Sequence, residues 1–317
     1  MSNGVPSIMS VPFHLRANDI TKHILNVDSR HRDTPYDSRP TNFYYSLLSP
    51  VKNVLRVRVT SIEFPNNYFY FTKRRGNVSF EILYDKANPK SYVIEIEDGN
   101  YMAADILNAI RADLAAADPS TPMTWLTVDF DTINGTFTFT GTQAFAINTT
   151  YGSKDRPFDY GLGYNIGFTR KCHLSKKITV GPVTKYVVSS DQCAYFAGDS
   201  YIFLQVNDFS CVRQTIHTYD NTGRTIQDEV DFTALAKIVL RQPKNYMTFD
   251  DYASQHAKEV VFKTPVDLSR LHVRILDAYG DELDLCSGQW SFSLEVLEIE
   301  NTTLYNTIRD SVALQYV

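Results

Sequence analysis

The chain has 317 residues, enough for one large domain or two medium ones with a sizeable buried core. Hydrophobic residues make up 43% of it and charged residues 21%, which excludes wholesale disorder. With 31 Lys and Arg against 36 Asp and Glu, the net charge is -5, so the basic excess of a general nucleic-acid binder is missing.

The side-chain inventory favours β structure, since Tyr and Phe, with 20 and 19 copies, suit strands and large buried faces. Four cysteines form no C-x-x-C pair, and we expect reduced, partly buried thiols at Cys172, Cys193, Cys211 and Cys286. The N-terminus lacks a continuous apolar segment, so we expect no signal peptide. We also expect no transmembrane segment, because the longest uncharged stretch, residues 132–153, is polar and alternating.

Residues 1–41 differ in composition from the rest of the chain. They contain four prolines and mixed charge, and VDSRHRDTPYDSRPTNF, residues 27–43, is typical of an extended N-terminal arm. Two interpretations remain open for this arm. It is either a frayed terminus or a segment that becomes ordered on a neighbouring subunit.

Alternating apolar residues predict strands from Phe43 onwards. In VLRVRVTSIEF, residues 54–64, the apolar phase shifts after Val59, which predicts a β-bulge near Thr60 and Ser61. The basic turn KRRG at residues 73–76 is typical of a solvated loop tip. Short strands are predicted at 78–83 and 92–96.

One amphipathic helix is predicted over residues 101–117. Asp98, Gly99 and Asn100 offer a cap, and Asp118-Pro119 ends the helix. Its apolar face comprises Met102, Ile106, Leu107, Ile110 and Leu114. A hairpin follows, since Asn134-Gly135 separates two alternating runs.

The remainder of the chain again has strand patterns. The apolar run 201–206 predicts a strand covered on both faces, and residues 208–231 form a long polar connection. Further strands are predicted at 235–240, 259–262, 271–276 and 290–299. In the last of these the apolar phase shifts at Leu297, which indicates a second bulge.

These elements predict a mainly β fold, an antiparallel jelly-roll-type β-sandwich with an inserted α+β segment that carries the amphipathic helix. We place the N-terminal arm at residues 1–41. The sandwich is assigned to residues 42–75 plus 176–305. The inserted segment is assigned to residues 76–175.

No motif for catalysis, cofactor binding or metal binding is found. The seven histidines show no metal-ligand spacing, and Cys172 and His173 should point to opposite faces of a strand. The acidic stretch DAYGDELD, residues 277–284, suits a hairpin turn better than a calcium loop. We therefore predict a structural or binding role, with no catalytic residue, cofactor or metal assigned.

Three stretches together resemble virion proteins of the nucleo-cytoplasmic large DNA viruses. The first contains NVDSRHRD and SPVKNVLRVRVTSIEFPNNY, the second contains DGNY and LGYNIGF, and the third is FKTPVDLSRLHVRILDAYGDELDLCSGQWSFSLEV. The resemblance spans residues 26–300. The family is that of minor capsid proteins, including penton-type vertex proteins, of large icosahedral viruses of algae and amoebae.

The resemblance implies a jelly-roll sandwich in the icosahedral shell, with no enzymatic activity. It also implies assembly in the host cytoplasm, with the major capsid protein and other minor capsid proteins as partners. A homo-pentamer at the fivefold vertices is the first alternative. A glycan- or receptor-binding sandwich, using Tyr160, Tyr164 and residues 208–231, is the second, and a hydrolase on a sandwich scaffold is the third. As contact residues for partner proteins we predict Asp28, Arg30, Arg32, Arg74 and Arg75.

Overall fold

The computed structural model describes residues 20–119, 122–152, 160–169, 171–209, 212–219, 225–241, 246–251, 259–300 and 303. Two α-helices, α1 (Ala103–Ala115) and α2 (Leu162–Asn165), occur in this part of the chain. Its strands, in chain order, are β1 (Ile20–Asp28), β2 (Asn42–Pro65), β3 (Ser79–Tyr84), β4 (Lys90–Glu95), β5 (Leu126–Asp131), β6 (Thr136–Gly141), β7 (Phe145–Asn148), β8 (Cys172–Leu174), β9 (Lys176–Val180), β10 (Val183–Ser189), β11 (Tyr201–Val206), β12 (Val212–Tyr219), β13 (Thr225–Ala234), β14 (Ala236–Val239), β15 (Met247–Asp251), β16 (Glu259–Leu276) and β17 (Ser291–Ile299).

All strand pairs with a described register are antiparallel. The mainly β fold of jelly-roll type with an inserted α+β segment, predicted from the sequence, is confirmed. No helix among the described residues is long and apolar enough to span a membrane.

The chain divides into two compact units. The first comprises Met1–Tyr68, Ser200–Gln214 and Asp231–Val317, and the second comprises Phe69–Asp199 and Thr215–Val230. The sequence analysis placed the sandwich at residues 42–75 plus 176–305 and the inserted segment at residues 76–175, so the limits differ. The reason is that β10 pairs with β6 and with β9, which holds residues 176–189 in the second unit.

The first unit is built on a seven-stranded sheet in the order β1-β17-β2-β16-β11-β14, with β15 also paired to β2. The 24-residue β2 is its central strand, since β17 lies along one edge and β15 and β16 lie along the other. Alternate residues of these strands are buried in one apolar core. The side chains of Phe43, Phe64 and Phe292 lie in this core around Trp290.

The bulge predicted near Thr60 is confirmed. Along the β2–β17 ladder, Ser61 lies opposite Ser293 and Val59 lies opposite Leu294, so Thr60 is the extra residue. The second bulge, predicted at Leu297, is also present, because the register of β17 with β2 shifts between Leu297 and Glu298. The extra residue is Leu55 on β2, however, while β17 stays in continuous register with β1.

The second unit contains two four-stranded sheets, in the orders β5-β6-β10-β9 and β4-β3-β7-β8. Helix α1 buries Ile106, Ile110 and Leu114 in the same apolar core as both sheets. The helix is shorter than the predicted 101–117, and its N-cap is Met102, whose N–H donates to Asp105 Oδ2 at 2.9 Å. The predicted cap is therefore wrong, because Asp98 and Asn100 accept from Lys73 N–H and Tyr70 N–H instead.

Two glycines of the LGYNIGF motif are required by close packing in the second unit. A Cβ at Gly163 would lie 2.6 Å from Cβ of Thr149. Gly167 has a φ of +94°, and a Cβ there would collide with the carbonyl oxygen of Gln192. Only glycine combines that backbone conformation with so close an approach.

Two regions differ from their predicted structures. Residues 20–28 of the predicted arm form β1 and pair along their whole length with β17, because Leu25 and Val27 alternate towards the core. Within the predicted polar connection 208–231, the chain forms β12 and most of β13, which pair with each other. Both strands are rich in β-branched residues, a strand propensity that a hydropathy analysis alone misses.

Two further predictions are confirmed. The hairpin at Asn134-Gly135 joins β5 to β6, with Gly135 at a φ of +68°. Strand β11 is covered on both faces, since Ile202 and Leu204 enter one apolar cluster and Phe203 enters another.

Candidate protein interface

Asp28 and Arg30, two of the predicted contact residues, form an ion pair at the end of β1. The Arg30 guanidinium donates to both carboxylate oxygens of Asp28, at 3.0 and 2.5 Å, and the Arg30 backbone N–H donates at 2.8 Å. These hydrogen bonds hold the pKa of Asp28 below its usual value. Asp28 is buried and caps the turn formed by residues 29–31, whereas the Arg30 side chain is mostly exposed.

Arg32 is bound to its own chain. Its guanidinium donates to the carbonyl oxygens of Ser29 and Pro35, each at 2.6 Å, to Ser38 Oγ at 3.1 Å and to Gln289 Oε1 at 3.2 Å. A side chain with this many internal acceptors has few donors left for a partner. Arg32 therefore organises the loop that follows β1.

This loop meets the segment before β17, and we call residues 28–41 together with 286–290 the terminal junction. Ser29 Oγ donates to Gln289 Oε1 at 2.8 Å and accepts from Trp290 N–H at 3.0 Å, and Ser29 N–H donates to Trp290 O at 3.0 Å. The indole Nε1–H of Trp290 donates to Pro40 O at 2.7 Å. The junction thus joins the first and last stretches of the resemblance.

The two predicted arginines of the basic turn lie in the second unit and have different environments. Arg74 is exposed, whereas Arg75 is buried, with its guanidinium on the Asp199 carboxylate and 4.9 Å from the Tyr70 ring centroid. The expectation of a solvated loop tip is therefore wrong for Arg75. Burial raises the pKa of the neighbouring Tyr70, so its hydroxyl stays protonated.

An exposed polar and aromatic patch on the first unit was not singled out from the sequence. Tyr44 stacks on His272 with ring centroids 4.5 Å apart, and the Arg270 guanidinium lies 4.1 Å from the Tyr44 centroid. Arg270 also donates to Asp33 Oδ2 at 2.9 Å. Burial, together with Arg274 and Arg270, lowers the pKa of His272, which favours the neutral ring.

The sequence does contain a signal for this patch. In RLHVRI, residues 270–275, the apolar residues Leu271, Val273 and Ile275 alternate with Arg270, His272 and Arg274, which places the polar set on the outer face. Tyr44 lies opposite His272 on β2, so the aromatic pair follows once the register is known. Exposed Tyr and Arg are residue types enriched at protein interfaces.

A second outward group is a chain of charges across three strands. Glu295 of β17 pairs with Lys22 of β1 at 2.9 Å and with Arg56 of β2 at 2.9 Å. Burial raises the pKa of Glu295, but the two cations outweigh burial and hold that pKa below its usual value. These contacts are satisfied within the sheet, so this group stabilises the unit.

His173 and Asp277, two residues considered for metal binding, are engaged in structural contacts. His173 Nε2 lies 3.0 Å from Thr169 O, so that nitrogen carries a proton, and Nδ1 lies 3.4 Å from Asp191 Oδ2. Oδ1 of Asp277, in the acidic stretch 277–284, accepts the N–H groups of Tyr279 and Asp281 within its turn. Over the described ranges there is no cluster of three or more metal-ligating side chains.

Two other sequence expectations are modified. Cys172, Cys193 and Cys286 form no disulfide, but they are exposed and not partly buried. Cys211 lies outside the described residues. Cys172 and His173 do point to opposite faces of β8, one exposed and one buried. Tyr160, named for a glycan site, is only 3% exposed, so its ring offers no platform for a sugar.

No family model matches the chain, and no curated protein matches it. Among solved structures, the crystal structure of the mavirus penton protein is similar over 88% of this chain and 99% of that chain, with a TM-score of 0.46 and 11% identity. A chain of the Sputnik virophage, solved by cryo-EM, is similar over 90% of this chain and 99% of its own, with a TM-score of 0.39 and 13% identity. With identities and TM-scores this low, the interpretation depends on the residues of the chain itself.

Proposed function

We propose that the chain is a structural virion protein, a minor capsid protein that holds an icosahedral shell together through protein–protein contacts. The observation that carries this proposal is the terminal junction. NVDSRHRD and SGQWSF, at opposite ends of the resemblance to capsid proteins, meet through Ser29 and Trp290 and complete one sheet. Because both motifs resemble the same family and together form this junction, they support the proposal that the chain has the architecture of those capsid proteins.

The patch of Tyr44, His272 and Arg270 supplies a surface for the proposed contacts. Its Tyr ring and Arg guanidinium are fixed by stacking and by Asp33, so little side-chain entropy is lost when a partner covers them. In this proposal the partners are the major capsid protein and other minor capsid proteins, and assembly takes place in the host cytoplasm. The proposal assigns the chain no enzymatic activity.

Purified particles of the virus that encodes the chain provide the test. We expect cross-linking and mass spectrometry to recover this chain from the particles, with cross-links to the major capsid protein. Absence from purified particles would overturn the proposal. Substitution of Tyr44 and Arg270 by Ala should reduce incorporation, with Leu48→Ala, another exposed side chain of β2, as the matched control.

The position in the shell is tested separately, by the mass of the purified chain in solution. A monomer supports a minor capsid protein whose partners are other chains. A closed pentamer would instead support the alternative of a penton at the fivefold vertices. Light scattering separates the two masses.

A further inference from the structure

Among the residues that the structure describes, no strand pairs with the edge of β8 that faces away from β7, and we call this the open edge. Strand β8 is the last in the order β4-β3-β7-β8. On its inner side the Ser175 N–H donates to Phe145 O at 2.9 Å, and His173 lies opposite Ile147. Because hydrogen-bonded pairs alternate along an antiparallel ladder, the N–H and C=O groups of Cys172 and Leu174 point towards the open edge.

Two cavities adjoin this edge. The first cavity has a volume of about 480 Å³. It is lined by Leu83 of β3, by Ala146 of β7 and by the turn between β3 and β4. The other, of about 460 Å³, is lined by Ile178 and Val187. Cys172 and Leu174 line both cavities, and Leu174 is 67% exposed. The side chains of a strand added at this edge would point alternately towards the two.

The rims of the two cavities are cationic. Lys86 and Lys90 border the first, and Lys171 and Lys176 border the second. One carboxylate lines each cavity. Asp85 accepts from Asn88 N–H at 3.3 Å in the first, and in the second Asp191 accepts from Thr169 Oγ1 at 2.9 Å and lies 3.7 Å from Lys171 Nζ. With two lysines and one carboxylate, each lining keeps a net positive charge. Lysines beside an edge strand disfavour pairing with a second copy of the same edge, because like charges would meet.

We propose that the β8 edge binds an extended acidic segment of another protein as an added antiparallel strand. Backbone hydrogen bonds to Cys172 and Leu174 supply the register. Apolar side chains of the partner enter the two cavities, and its carboxylates pair with the lysines on the rims. This binding goes beyond the proposed role in a shell and does not depend on it.

The test uses the full chain and a fluorescein-labelled peptide of alternating aspartate and valine, with binding followed by fluorescence anisotropy. We expect saturable binding of this peptide and none of the matched lysine–valine peptide. Lys86→Glu with Lys90→Glu should weaken the affinity by about tenfold or more. The matched control, Lys52→Glu with Lys263→Glu on exposed lysines of the first unit, should bind as the native chain does.

Strand addition is separated from simple charge attraction by removing backbone donors. Leu174→Pro deletes the N–H at the open edge while leaving the ladder to β7, so binding should be lost. A second check needs no protein variant. Two peptides are N-methylated, one at the odd and the other at the even residues, and only the peptide whose methyl groups replace the N–H groups facing β8 should lose binding. Equal binding of the methylated peptides, or equally tight competition by a single-stranded oligonucleotide, would overturn the proposal.

Discussion

Arg75 and Asp199 form a buried, bidentate ion pair in the second unit, with N–O distances of 2.9 and 3.1 Å. Their side chains are 8% and 4% exposed. Removing one partner of such a pair leaves an uncompensated charge in the interior, which costs far more than loss of a surface ion pair. A basic turn that looks solvated in the sequence is therefore a stability determinant.

We expect Arg75→Ala to lower the free energy of unfolding by about 3–5 kcal/mol, because Asp199 is left buried and charged. Arg74→Ala, at the adjacent exposed position, should change it by less than about 0.5 kcal/mol. Urea unfolding followed by circular dichroism measures both. Similar values for the two variants would contradict the structural role of the buried pair.

Trp290→Phe tests the terminal junction. The substitution keeps an aromatic ring beside Phe43 and Phe64 but removes the donor to Pro40 O. Loss of this hydrogen bond to a partly buried carbonyl should reduce stability by about 1 kcal/mol in thermal unfolding. Trp125→Phe, whose ring packs on Tyr84 and Phe145 in the second unit, is the control for loss of indole area alone.

Gly167→Ala tests the close approach in the LGYNIGF motif. An added methyl group meets the Gln192 carbonyl at a positive φ, so we expect a loss of about 3 kcal/mol or more. Gly181 also has a positive φ, of +60°, but nothing lies within 4 Å of its Cβ position. Gly181→Ala should therefore cost only about 1 kcal/mol, and equal costs would show that backbone strain alone decides.

Stability should fall with acid partly through Glu295. Its folded-state pKa lies below the usual value of 4.5, so its contribution is present above that value and is lost as pH falls through the lower folded pKa. Glu295→Gln should lower the free energy of unfolding at pH 7 by about 1–2 kcal/mol, and the difference from the native chain should vanish in acid. Glu97→Gln, at an exposed position, should have no effect at either pH.

Truncation distinguishes the parts of the predicted arm. A chain starting at Ile20 should fold, whereas a chain lacking residues 1–41 should not, because it loses β1, Val27 and the terminal junction. Circular dichroism and size-exclusion chromatography report the outcome. A folded chain without residues 1–41 would restore the interpretation of that whole segment as a separable arm.

The sequence predicts those features that depend on neighbours along the chain. The phase shift at Thr60 and the Asn134-Gly135 turn are local patterns, and both are present in the structure. Strand β12 was missed because its sequence, VRQTIHTY, has no strict alternation of apolar and polar residues, so the period-two signal is weak. The same weakness affected residues 20–28.

The candidate interface depends on distant pairs, and these the sequence could not supply. Arg75 reads as a surface residue until Asp199, 124 positions away, is brought to it. Arg32 likewise meets Gln289 across 257 positions. Tyr44 and His272 become a stacked pair only through the register of β2 with β16, which bulges shift more than once.

The central position of β2 has a consequence for synthesis on the ribosome. The described strands that pair with β2, namely β15, β16 and β17, all lie beyond residue 246, and β1 pairs with β17. The first unit cannot complete its sheet until β17, which ends at Ile299, has been synthesised. Most of the second unit, residues 69–199, is synthesised before these strands. During that time the backbone of β2 lacks its strand partners and is accessible to chaperones.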